Sequence, residues 1–318
     1  MRFKSFADAI YRTPSVPYAH GYLLRGQPLK PNDSYARVIL KSVWIPNARQ
    51  GLKFFHPVVH SRVSYAHRIE SVAAIERVRA SSNLERLERR DLGRLLMRDL
   101  DLTHFVPYRG VKFEIEIGLF TVKDRDLAVP MLALVSDVAE LSAVAATPVA
   151  KIVSKALNAL VEDGDQSLKI GLLQNFDPLC DGEYLVSSAP SSMLNMSKIT
   201  ETDLYKDPLS HYSHLLLKID TVPSLPDFST VSAIAIAYAE VVSVLEKSTS
   251  TRQEVDEIVA VFCRTCYLSP DLLQRDAIRF SDAMRKYVSG VPGRVMTGKQ
   301  RAVKIPRTLS GFVDGFVD

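Results

Sequence analysis

This sequence has few cysteines, and it shows no pattern typical of a secretion signal. Its 318 residues include three cysteines, Cys180, Cys263 and Cys266, which are too few for the disulfide framework of a small secreted protein. The first residues carry charges and form no continuous apolar run, so we predict no signal peptide. These absences favour a soluble, cytoplasmic protein whose thiols stay reduced.

An excess of charge of one sign is absent as well. The formal net charge is +4 and the isoelectric point is near 8.8, which is mild compared with a dedicated nucleic-acid-binding domain. The arginines between Arg77 and Arg98 form the densest basic group, and acidic residues are interleaved with them, as on a salt-bridged surface. This pattern argues against a nucleic-acid partner, and contact through Arg89, Arg90 and the basic C-terminal tail is a minor alternative.

Complete catalytic motifs are also missing. Residues 293–299, GRVMTGK, have the spacing of a phosphate-binding loop, but Gln300 stands where Ser or Thr would bind magnesium and no predicted strand precedes the loop. Cys263 and Cys266 have CxxC spacing, yet they lie at the end of a predicted helix, whereas a reactive thiol is favoured at a helix N-terminus. We find no nucleophile elbow, dinucleotide fingerprint or kinase signature. The sequence therefore favours a protein that is not an enzyme and uses no cofactor.

Histidines supply the main enzyme alternative, because they come in two close pairs. His56 and His60 share one face of a predicted strand, and His211 and His214 form the second pair. Imidazoles from both pairs, completed by a carboxylate, would suit a metal-dependent hydrolase. However, there is no HExxH motif and no carboxylate at a characteristic spacing. Histidines in loops or at sheet edges are the simpler interpretation, and no metal site is predicted.

The centre of the chain predicts a strand, two helices and a second strand. Apolar and polar residues alternate over residues 111–122, which indicates a strand with one buried face and one solvated or lightly covered face, the latter carrying Glu114 and Glu116. Residues 127–146 are the most apolar segment, and a second helix is predicted over 149–161. Residues 167–173 form the next strand, so we expect a helical hairpin packed on a sheet.

The remaining pattern completes an α+β fold. We predict a largely antiparallel sheet or sandwich with a packed helical hairpin, followed by a C-terminal helical layer. Further strands are predicted at 35–45, 54–65, 74–79, 94–98, 183–188 and 213–219. Pro57 favours an edge or a bulge in the second of these. Three helices follow, the first capped within 227–230, the second capped by Ser250 or Thr251 and ending at 266, and the third starting at 269–271 and running to 288.

Composition divides the chain into four parts. These are an N-terminal arm (1–34), an α+β core domain (35–225), a helical subdomain (226–289) and a basic C-terminal tail (290–318). The tail ends in the tandem GFVDGFVD, which could add to a groove or a sheet edge of a neighbouring molecule. The tail residues predicted to bind a partner are Arg301, Lys304, Phe312, Val313 and Phe316.

Three functions follow from these features. The first is a non-enzymatic protein-interaction or assembly module that forms a homo-oligomer through its terminal arms. The second is a membrane-active protein that exposes residues 127–161 after a trigger, although Asp137 and Glu140 would each cost roughly 2.5 to 3.5 kcal/mol in a bilayer. The third is the metal-dependent hydrolase. The hairpin residues predicted to meet a membrane or a partner are Leu132, Leu134, Val135 and Val138.

Overall fold

The computed structural model describes residues 20–46, 49–50, 53–54, 56–68, 71–80, 98–122, 167–194, 209–247 and 250–290. Antiparallel sheets are followed by three α-helices, so the prediction of an α+β fold with C-terminal helices is confirmed. The chain divides into two compact units. We call residues 1–31, 36–104 and 108–221 the sheet unit, and residues 32–35, 105–107 and 222–318 the helical unit.

Twelve strands are described, and most of them match the predicted positions. Their bounds are β1 (His20–Arg25), β2 (Tyr35–Trp44), β3 (Arg49–Gln50), β4 (Lys53–Phe54), β5 (His56–Arg68), β6 (Ser71–Ala80), β7 (Arg98–Asp101), β8 (Val106–Pro107), β9 (Phe113–Val122), β10 (Ser167–Asn175), β11 (Gly182–Ser187) and β12 (His214–Val222). Short 3-10 helices lie at Ser191–Met193 and Leu209–His211. Strand β1 falls in the segment that the sequence predicted as an extended arm.

The sheet unit contains two larger sheets. The first has the order β10-β9-β5-β6, and its neighbouring strands are all antiparallel. The second has the order β1-β11-β12-β2-β7 along its main path. In the first sheet β9 and β10 are adjacent, and Ser167 pairs with Thr121. Residues 123–166 join these two strands, so the predicted helical hairpin lies outside the described residues.

Pro57 lies near the start of β5, where the sequence predicted an edge or a bulge. The strand is central and pairs with β6 on one side and β9 on the other. Pro57 lies opposite Thr121 of β9, while the pairing with β6 begins at Val58 and Ala80. Proline has no amide hydrogen to donate to a neighbouring strand. Because Pro57 lies before the residues that pair with β6, the hydrogen bonds between β5 and β6 do not depend on it.

Three helices form the body of the helical unit. They are α1 (Ser232–Glu246), α2 (Arg252–Leu268) and α3 (Gln274–Gly290). Thr251 caps α2 as predicted: its hydroxyl accepts a hydrogen bond from the Glu254 amide at 3.2 Å, and its own amide donates to the Glu254 carboxylate at 2.7 Å. This reciprocal capping box satisfies two amides that a helix start leaves without partners.

The starts of the other two helices differ from the prediction. The N-cap of α1 is Val231, which makes no side-chain capping hydrogen bond, instead of a residue within 227–230. The Asp227 carboxylate accepts the Ser229 amide at 2.8 Å, so it closes a turn before the helix. Helix α3 starts at Gln274, after the predicted 269–271. Polar residues favour caps and local turns alike, which explains both errors.

Aromatic rings form the centre of the helical unit. The Phe228 ring is fully buried and meets the rings of Phe280, Tyr238 and Phe262 edge-on, at centroid distances of 5.1, 5.4 and 5.8 Å. Edge-on packing suits the quadrupoles of aromatic rings. The three helices are therefore held by one shared core whose centre is Phe228.

Candidate functional site

The four predicted histidines do not gather into one site. His60 lies in β5 of the first sheet and His214 begins β12 of the second, and both are buried. His56 is the first residue of β5, and His211, whose side chain is exposed, ends a 3-10 turn. Across the part of the chain that the structure describes, no three His, Cys, Asp or Glu side chains are grouped as a metal site.

His214 is packed against aromatic surface. Its ring stacks on Trp44 with centroids 5.8 Å apart and planes inclined by 9°, and its Nδ1 lies 3.3 Å from the Tyr212 carbonyl oxygen. The Trp44 indole donates to the Ser210 carbonyl at 2.9 Å. Burial lowers the pKa of His214 to about 4, because it disfavours the charged imidazolium. The ring is therefore neutral near pH 7 and contributes packing to the sheet unit.

The polar face of β9 is more buried than the alternation predicted. Arg62 of β5 lies opposite both Glu76 and Glu116, and Glu116 is 7% exposed. In the next row His60, also buried, lies opposite Gly118. The alternation identified the polar face correctly, but the expected solvated or lightly covered surface is wrong for these central residues.

The CxxC pair lies on the buried side of α2. Cys263 and Cys266 are both buried free thiols, and the Cys263 thiol donates a hydrogen bond to the Ser281 carbonyl oxygen at 3.8 Å. Burial raises the pKa of Cys266 to about 12. A thiol that stays protonated near pH 7 is a poor nucleophile and a poor metal ligand, so Cys266 acts as a core residue, and Cys263 is buried in the same core cluster.

The outward side of α2 has the opposite character. Glu257, Val261, Arg264 and Leu268 follow the spacing i, i+4, i+7 and i+11, so they lie within about 60° of arc on the helix. We call these four residues the α2 stripe. Val261 is 49% exposed and Leu268 is 63% exposed. The core-facing residues on the other side of the helix are Val255, Val259, Phe262, Cys263 and Cys266.

Exposed apolar side chains are concentrated in the helical unit. Of the nine large hydrophobic side chains that are exposed in the described residues, five belong to this unit: Ile236, Val261, Tyr267, Leu268 and Ile278. Three of the five are in the second half of α2, where Tyr267, 47% exposed, adjoins the stripe. Single exposed hydrophobic residues are ordinary, and the second half of α2 has the densest group of them within the described residues.

Charged residues alternate with the apolar ones in the stripe. Glu257 accepts a hydrogen bond from Gln253 at 2.9 Å, and neither Glu257 nor Arg264 forms an ion pair with a residue in the described ranges. Seven helical residues separate them by about 10 Å along the axis, so they cannot pair with each other. By contrast, Arg252 and Asp256, four residues apart on the same helix, form an ion pair at 3.1 Å.

The other residues predicted to form sites lie outside the described residues. These are Arg301, Lys304, Phe312, Val313 and Phe316 of the tail, and Leu132, Leu134, Val135 and Val138 of the hairpin. The α2 stripe was not predicted. Its sequence signal is the spacing of Val261 and Leu268, seven residues apart and on the side of the helix away from Val259 and Phe262.

Comparison with known proteins does not assign the chain to a family. No protein-family model, curated protein or solved structure matches it. Among the helices within the described ranges, none combines the length and apolar character needed to cross a bilayer.

Proposed function

We propose that this protein is a non-enzymatic interaction module that self-associates, and that the α2 stripe belongs to its contact surface. The most direct support is the exposure of Val261 and Leu268 on one narrow side of α2. Burying one such side chain fully is worth roughly 1.5 to 3 kcal/mol. A partner that covers both side chains would therefore stabilise the complex.

The terminal segments are a second proposed element of the assembly. The tail carries the repeated Phe-Val-Asp with Phe312, Val313 and Phe316, preceded by Arg301 and Lys304. Short apolar motifs flanked by charge are typical of segments that add to a groove or an edge. The support for this element is the sequence alone, so it is tested separately from the stripe.

The test is the solution mass of the full chain by light scattering over a range of concentrations. We expect the unaltered protein to exceed the monomer mass and the double variant Val261→Asp, Leu268→Asp to be a monomer. Aspartates at these two positions would lose their hydration when the contact forms, so association becomes unfavourable. The matched control is Met193→Asp, which changes a side chain of similar exposure, 45%, in the sheet unit and should leave the mass unchanged.

Each alternative gives a different result. A monomeric unaltered protein at every concentration contradicts self-association. An oligomer that survives the double variant removes the stripe from the contact surface. If truncation after Gly290 dissociates the oligomer and the double variant does not, the tail is the assembly element instead.

A second candidate, the membrane-active protein, is favoured by the connection between β9 and β10. These strands are adjacent and antiparallel, and Ser167 pairs with Thr121, so residues 123–166 leave and rejoin the sheet at neighbouring positions. A segment anchored in this way can change its environment without breaking the β9–β10 ladder. It contains the most apolar stretch of the sequence, with Leu132, Leu134, Val135 and Val138.

Dye release from vesicles tests this candidate. Vesicles of phosphatidylcholine with a quarter phosphatidylglycerol should leak at pH 5 or after limited proteolysis, and the double variant Leu132→Asp, Leu134→Asp should abolish the leakage. The control is Val261→Asp, Leu268→Asp, which should leak as the unaltered protein does. Vesicles that stay sealed under both triggers contradict the candidate.

A further inference from the structure

We propose that the α2 stripe is covered by a second copy of this chain, whose own α2 packs antiparallel to it across a two-fold axis. This inference rests on the proposed function and names the partner and the geometry of its contact. The axis passes between Ala260 and Val261. Two-fold contacts use the same surface twice, so every pair formed across the axis is formed two times.

The positions of the charged residues specify this axis. Glu257 and Arg264 each lie three and a half residues from the midpoint between Ala260 and Val261, which is about 5 Å along the helix. An antiparallel second helix therefore brings its Arg264 level with Glu257 of the first, and its Glu257 level with Arg264 of the first. Both charges lack an ion-pair partner among the described residues, and this arrangement gives each of them one.

The apolar residues agree with the same axis. Val261 lies half a residue from the midpoint, so the two copies of this side chain meet at the centre of the contact. Leu268 and Gln253 lie equally far from the midpoint, on opposite sides. The methylene groups of Gln253 from the second copy therefore cover Leu268, and the amide stays at the solvated rim, as in protein interfaces generally.

The charges also exclude the parallel alternative. A parallel second helix in register would place Glu257 against Glu257 and Arg264 against Arg264. Like charges placed opposite each other at an interface disfavour the complex. A partner of uniform charge would satisfy only one of the two residues, whereas a second copy satisfies both.

Charge reversal tests the arrangement. Glu257→Arg and Arg264→Glu each create like-charge pairs at both ends of the contact, so each variant alone should raise the dimer dissociation constant by about tenfold or more. Mixed in equal amounts, the two variants should associate as heterodimers, because every pair then has opposite charges. Native mass spectrometry, with one variant labelled with nitrogen-15, distinguishes the heterodimer from both homodimers.

Matched controls keep the test specific. Glu240→Arg and Arg285→Glu are charge reversals of the same sign at exposed positions of α1 and α3, and they should leave the dissociation constant unchanged. Circular dichroism at 222 nm should show the same helix content for all four variants. The chain carrying both Glu257→Arg and Arg264→Glu should dimerise as the unaltered protein does, since its charges are exchanged and still complementary.

The outcomes separate this inference from the proposed function. Weak homodimers that recover in the mixture support the antiparallel pairing. If both reversals dimerise normally, or if the mixture does not recover, the pairing is overturned. In that case dissociation by Val261→Asp, Leu268→Asp would still support the stripe as a contact surface. A monomeric unaltered protein overturns the pairing and self-association together.

Discussion

Charged residues on β2 and β12 of the sheet unit are arranged differently from those of the α2 stripe. On the sheet unit Arg37 forms ion pairs with Asp220 at 2.8 Å and with Asp101 at 3.5 Å, and Lys218 lies 3.3 Å from Asp220. On α2 the outward Glu257 and Arg264 have no such partners in the described ranges, and exposed Val261 lies between them. A surface whose charges pair with one another needs no partner, whereas we propose that the α2 stripe is covered by one.

The interiors of the sheet unit and the helical unit also differ, in how many polar side chains they bury. The sheet unit buries polar side chains such as His60, Glu116 and His214. The helical unit has a core of aromatic and aliphatic residues, in which the buried carboxylate of Asp276 accepts the Leu225 amide at 3.1 Å and pairs with Arg279 at 2.8 Å. The buried histidines are therefore found inside the sheet unit, while the proposed contact surface is on the helical unit.

The largest expected effect comes from removing a ring from the core of the helical unit. Phe280→Ala should lower the free energy of unfolding by about 3 to 5 kcal/mol, because the fully buried ring leaves a cavity beside Phe228. Urea denaturation followed by circular dichroism at 222 nm measures it. On the same helix Ile278, 41% exposed, is the control, and a similar loss in Ile278→Ala would contradict the assignment of inside and outside faces.

The interior of the sheet unit should respond to pH. The pKa of His214 is about 4 in the folded protein and about 6.5 when unfolded, so the unfolded chain binds more protons between these values. Stability from this group is complete above pH 6.5 and is lost as the pH falls to 4, by about 3 kcal/mol. Fluorescence of Trp44, the single tryptophan, follows unfolding in urea at each pH.

The control for the pH prediction is His214→Phe. This substitution keeps an aromatic ring beside Trp44 and removes the titrating group. The variant should lose less stability than the unaltered protein between pH 6.5 and 4. Equal losses in the two proteins would show that other groups cause the acid sensitivity.

The smallest expected effect on stability comes from removing a single surface charge. Asp220→Ala removes the carboxylate shared by Arg37 and Lys218 and should lower the free energy of unfolding by about 1 kcal/mol or less. Arg264→Ala should leave unfolding of the monomer unchanged and weaken self-association instead. Urea titration below the association range measures the first quantity, and sedimentation measures the second. Reversed results for the two variants would contradict the comparison.

Local patterns predicted much of the fold. Alternation located β9, β-branched and aromatic residues located β2, and a capping residue, Ser250 or Thr251, marked the start of α2, because each signal is set by neighbouring residues in the chain. The central position of β5 was not predictable, since it depends on pairing with β6 and β9 from distant parts of the sequence. Alternation also separates two faces of a strand without showing what covers each of them, so the burial of Glu116 was missed.

The candidate site was less predictable than the fold. The sequence located α2 by its capping residue and its end, and the structure shows that Val259 and Phe262 are on its buried side. Val261 and Leu268 are apolar residues on the other side, and only packing shows that they remain exposed. The histidine pairs gave a stronger sequence signal, but one pair lies in β5 and the other is divided between a 3-10 turn and β12 of the other sheet. Spacing along the chain does not determine proximity between distant elements.

The most direct test of self-association through α2 is a cross-link at the proposed axis. In a Cys180→Ser background, because Cys180 is partly exposed, the substitution Val261→Cys places two thiols next to each other across the axis. A short bis-maleimide should then convert the 35.4 kDa chain to a covalent dimer. Ser243→Cys, on the exposed side of α1, should cross-link poorly. Equal or absent cross-linking in the two variants would contradict the account.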